Sequence, residues 1–73
     1  MILNTDEYVF SHGVRPRGFG VWVVEVIGAD NRGSYTMETF HITGTLTEVK
    51  VTAAREMKKI SGVKSVIEIK IMP

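Results

Sequence analysis

The chain has 73 residues, enough for one domain and no more. It has no cysteine, which excludes a disulfide or thiolate zinc site as support for a small core, and its formal net charge of +1 falls short of the basic excess of strong phosphate binders. No apolar run approaches the roughly 20 residues that span a bilayer, and the stretch from Met1 to Glu7, with Asp6 and Glu7, lacks the basic-then-apolar layout of a signal peptide.

In chain order, Tyr8-Val9-Phe10 is expected to form a short first strand. Ser11 to Gly18, with Gly13, Pro16 and Gly18, is expected to be a loop. Gly20 to Ile27, rich in valine and holding the single tryptophan, is the clearest strand. Gly28 to Gly33 is a polar hairpin loop, and Tyr35 to Thr43 a third strand antiparallel to the second. Thr45 with Glu48 three residues on is a capping box that opens a helix. Leu46, Val49, Ala53, Met57 and Ile60 recur at helical spacing, and Gly62 suits the residue that ends it. Val63 to Met72 is a last strand in which Ile67, Ile69 and Ile71 alternate with Glu68 and Lys70.

These elements give a single α+β domain over residues 1–73: a three-stranded antiparallel meander, one amphipathic helix on one sheet face, and a final strand. The parity of each strand assigns Trp22, Val24, Val26, Phe40, Ile42, Ile67, Ile69 and Ile71 to the face under the helix. The last strand is expected to pair in parallel with the first, in the order third, second, first, fourth. Val21, Val23, Ile27, Tyr35 and Met37 then lie together on the outer face, as an interaction surface or as scattered strand-formers.

Two candidate site chemistries follow. Arg15 and Arg17 flank Pro16 in a glycine-rich loop, which can offer guanidinium and backbone N–H groups to phosphate, and Phe19 beside them can stack on a base. The plain alternative is a solvated loop whose arginines keep the surface soluble. Lys50, Arg55, Lys58 and Lys59 make a basic helix face that serves equally well as the solvated side of the helix. His12, His41 and the scattered acids show no metal-ligand spacing, and Ser11 beside His12 is not a nucleophile–base pair. No catalytic site, cofactor or metal is expected.

The run from Gly13 to Val26, with Arg15, Arg17, Phe19, Gly20, Trp22 and Glu25 at their places, resembles the opening of plant ethylene-response-factor DNA-binding domains. Integrase N-terminal domains are built similarly. The resemblance implies three antiparallel strands on a helix, an outer sheet face lying in the DNA major groove, contacts from Arg15, Arg17 and Phe19, and Trp22 in the core. The chain departs from that pattern at Ile27 and Glu38, in a helix start, Gly44 to Glu48, about two residues shorter, and in having a strand after the helix. Phe10 to Gly13 followed by Pro16-Arg17-Gly18, Gly20 and Trp22 also looks like short uncharacterised proteins of bacteria and their mobile elements. The expectation is therefore a non-enzymatic, cytoplasmic module that binds DNA or RNA. The alternative is a homodimer or adaptor protein that buries Val21, Val23, Ile27, Tyr35 and Met37 against protein.

Overall fold

The computed structural model describes all residues from Met1 to Pro73. Its strands are β1 (Ile2–Asn4), β2 (Gly20–Ala29), β3 (Tyr35–Gly44) and β4 (Ser65–Ile71), and its helices α1 (Asp6–His12) and α2 (Leu46–Lys58). The strands form one mixed sheet in the order β1-β4-β2-β3, with α2 over one face. The α+β class and the single long helix on one face agree with expectation.

Alternation builds the core. On β2, Trp22 is nearly buried and Val24 and Val26 fully so, while Val21 is exposed and Val23 and Glu25 are half-buried on the other side. β3 lies in register beside it and sets Ile42 opposite Trp22 and Phe40 opposite Val24. Val49, Ala53 and Met57 are the fully buried stripe of α2, spaced to face one direction. Phe40, Leu46 and Ile60 are half-buried at the margin of this cluster.

The start of α2 is fixed as the sequence indicates. The Glu48 N–H donates to Thr45 Oγ1 at 3.3 Å, and the Thr45 N–H donates to Glu48 Oε1 at 2.9 Å. The Thr45 backbone N–H foremost, then the Thr45 side chain, hold the Glu48 carboxyl below its ordinary value. A lowered folded-state value means stabilisation present above the unfolded value and lost as pH falls through the folded one. Thr45→Ala removes the acceptor of the Glu48 N–H and should destabilise the protein by about 1 kcal/mol at neutral pH. In paired chemical denaturations the difference from the wild type should shrink only slightly on acidification, because the alanine keeps the backbone N–H that chiefly holds the Glu48 carboxylate.

Four expectations are corrected. The segment Tyr8-Val9-Phe10 is helical, not a strand, and lies inside α1. Asp6 and Glu7 sit in its first turn and His12 in its last, and the Asp6 N–H donates to Asn4 Oδ1 at 3.0 Å. Gly13 closes it at φ 74°, its N–H donating to Val9 O at 2.8 Å. An apolar run this short has no period of its own, so the helix-end groups decide.

The second correction is the strand order. With no strand at Tyr8–Phe10, β4 lies directly against β2, antiparallel, and holds β1 in parallel on its other side. Its Val66, Ile69 and Ile71 are buried, so a strand with much apolar surface to hide takes a central place. The last strand does run parallel to an N-terminal strand, but that strand is Ile2–Asn4 and not Tyr8–Phe10, and the last strand lies inside the sheet.

The third is Ile67, expected in the core and found 40% exposed. Ile27 pairs with Glu68 and Gly28 with Val66, which leaves Ile67 as the extra residue of a bulge. The alternation flips there, and Val66 fills the core position. The fourth is the hairpin, which is shorter than expected because β2 continues through Gly28 and Ala29. Asp30 then organises the turn, its Oδ1 accepting from the N–H groups of Arg32 and Ser34 at 2.8 and 2.9 Å.

Candidate functional site

β2 begins next to the loop that follows α1, and the end of β4 lies alongside, the Met72 N–H donating to Val23 O at 2.9 Å. Between these parts lies a cleft of about 350 Å³, walled by Tyr8 and His12 of α1, Arg17 and Phe19 of the loop, Gly20 to Val23 of β2, and Met72-Pro73. Its floor is aromatic. Tyr8 and His12, one helical turn apart, stack at 4.1 Å between ring centroids, and Tyr8 meets Trp22 at 5.7 Å. The indole is nearly buried, and its Nε1–H donates to Gly44 O at 2.9 Å. Trp22 is thus the core residue expected, with part of its ring reaching the cleft.

The loop is built to present its side chains. Pro16 is buried, while Arg15 and Arg17 on either side are exposed. A fixed-φ residue seated in the protein anchors the loop at its middle and turns both neighbours outward. Neither arginine has an acidic partner, so both guanidinium groups are open to a ligand. Phe19 is 72% exposed. Of the three candidate contact residues the structure brings Arg17 and Phe19 together at the cleft and leaves Arg15 outside it. Tyr8, His12, Met72 and Pro73 were not anticipated as lining.

The outer sheet face is uncovered, as expected. Val21, Tyr35 and Met37 are 70, 72 and 59% exposed, and Val23 and Ile27 are half-buried on the same face. The middle of that face is polar. Lys70 stands opposite Glu25, its Nζ 3.7 Å from that carboxylate and 3.5 Å from Glu7 on α1. Glu7 foremost, then Glu25 and Glu68, raise the lysine above its ordinary value. A raised lysine stabilises the fold at neutral pH and loses that effect only as alkali deprotonates it. Three carboxylates around one ammonium leave this region net negative and unfavourable for phosphate.

A second hollow of about 440 Å³ lies among Asp6, Glu7, Phe10, Ser11 and Pro73. It holds two acids and no cation, so anion chemistry belongs to the Arg17 cleft instead. No helix is long and apolar enough to cross a membrane. Comparison of the chain with protein-family models, with curated proteins and with solved structures finds no match.

Proposed function

We propose that the protein is a small non-enzymatic module that binds single-stranded DNA or RNA on the Arg15–Phe19 loop and its adjoining cleft. One observation carries this reading: an unpaired guanidinium, Arg17, and an exposed ring, Phe19, share a cleft floored by the Tyr8–His12 stack. Arginine holds phosphate through paired N–H groups, and an open ring accepts an unpaired base on its face. The acidic middle of the sheet disfavours laying that face in a major groove, so the ligand is an unpaired strand at one end of the sheet.

The test is fluorescence anisotropy with a labelled mixed pool of single-stranded oligonucleotides at low salt. Affinity should fall linearly in log–log terms with salt. Arg15→Ala and Arg17→Ala should each weaken it roughly tenfold and reduce the salt slope by about 1. The melting temperature should hardly change, as for other surface loop substitutions. An unchanged anisotropy at low salt, or equal binding by the double variant, refutes the reading.

A second reading rests on a different observation: on the uncovered face Val21, Tyr35 and Met37 are exposed, with Val23 and Ile27 half-buried beside them. Such a patch suits a protein partner, as in a homodimer or an adaptor. Val23→Lys places an ammonium group in that patch and should abolish a contact made there.

A further inference from the structure

The strand order leaves the sheet with two very unequal edges. β1 is 3 residues long, whereas β3 is 10 and pairs with β2 from end to end without a break. The one irregularity lies on the other side of β2, against β4. Residues Tyr35 to Thr39 are exposed on both faces of the sheet. A long regular edge displays a row of unpaired N–H and C=O groups, which proteins normally guard with proline, lysine, a bulge or a short strand. β3 has none of these and a single charge, Glu38.

We infer that β3 is the seam of a symmetric dimer, in which it pairs antiparallel with the β3 of a second copy to continue the sheet. The partner is a second copy because the strand matches itself. In a two-fold pair, residues facing each other must share a sheet face, so the axis passes through a residue. An axis at Glu38 would oppose two carboxylates, which is destabilising. An axis at Thr39 sets that threonine against the partner's Thr39, a favourable pair. It also places Glu38 opposite the partner's Phe40, Met37 opposite the partner's His41 and Tyr35 opposite the partner's Thr43. The overlap from Tyr35 to Thr43 forms about 8–10 backbone hydrogen bonds, close to the number in a standard protein interface. An axis at Phe40 would leave the exposed Tyr35 outside the overlap.

The inference is distinct from the reading in which the outer face is buried: the copies join edge to edge, and the outer face stays open. It does not depend on nucleic-acid binding, which has its own readout. Sedimentation velocity of the full chain over a dilution series should show a monomer–dimer equilibrium. Thr39→Lys opposes two ammonium groups at the axis and should weaken the dimer about fivefold, with an unchanged circular dichroism spectrum because Thr39 is exposed. The chain has no cysteine, so oxidation of Thr39→Cys should give a covalent dimer. Met37→Cys or His41→Cys alone should not, while a mixture of the two should. Val23→Lys should leave the dimer intact. A monomer at every concentration, a dimer indifferent to Thr39→Lys, or a failure of Thr39→Cys to cross-link overturns the seam. A dimer lost to Val23→Lys but not to Thr39→Lys overturns it in favour of contact through the face.

Discussion

Trp22→Ala should destabilise the protein by about 3–5 kcal/mol, through lost burial and the cavity left behind. The indole is 8% exposed and packs in the cluster with Val24, Ile42 and Val49. Its Nε1–H also ties β2 to Gly44 O, at the junction where β3 passes into α2. Truncation removes the partner of a buried carbonyl as well as the ring. It also frees Tyr8, which holds α1 against the sheet through the same indole. A small domain has a total stability of only about 5–15 kcal/mol, so the variant should be close to unfolding. Urea denaturation gives the number, and Trp22→Phe, which keeps a ring but loses the N–H, should fall between the two. The wild-type emission should be blue and poorly quenched by acrylamide. A red, readily quenched emission would place Trp22 in solvent and reverse the two sheet faces.

Where the sequence carries a long signal, it and the structure agree. β2 alternates along most of its 10 residues and β3 over its second half, and the capping box before α2 needs only Thr45 and Glu48. These elements rest on local chemistry that survives whatever packs around them. The N-terminal region does not. Its Asp6, Glu7, His12 and Gly13 are ordinary helix-end residues, but a strand reading built on Tyr8-Val9-Phe10 passes over them. That one choice propagates: a helix there removes the neighbour of β2, and the last strand moves inward to replace it.

The candidate site divides along the same line. Arg15, Arg17 and Phe19 could be found from loop composition alone, because a glycine-rich loop exposes whatever it carries. Tyr8 and His12 could not, since their stack requires the i, i+4 spacing of a helix in a segment read as strand and loop. Met72 and Pro73 enter only through the docking of β4 beside β2. Ile67 shows a different limit. The alternation Ile67, Ile69, Ile71 looks unbroken along the chain, but the pairing with β2 skips one residue and sends the first of the three to the surface. A bulge belongs to two strands at once, and the pattern of one cannot reveal it.

The bulge forms beside a glycine, and Gly28→Ala should destabilise the protein by about 1–3 kcal/mol through overpacking. A methyl group there would stand 2.8 Å from Val63 Cγ1, 3.0 Å from Met57 Cε and 3.3 Å from the Ser65 carbonyl oxygen. The methionine end can swing aside, but the valine is branched at Cβ and nearly buried, and the carbonyl belongs to the backbone entering β4. The glycine therefore lets the end of α2 and the start of β4 close down on β2, which is why the strand runs through a residue expected in the turn. The obstacle can be identified by coupling. Val63→Ala removes the nearest atom and is destabilising by itself, because it empties a core position. Combined with Gly28→Ala it should cost less than the sum of the single changes by at least about 0.5 kcal/mol. Chemical denaturation of the four proteins in the cycle measures this. Strict additivity would mean that Val63 does not set the close approach at Gly28, and that the Ser65 backbone resists the added methyl instead.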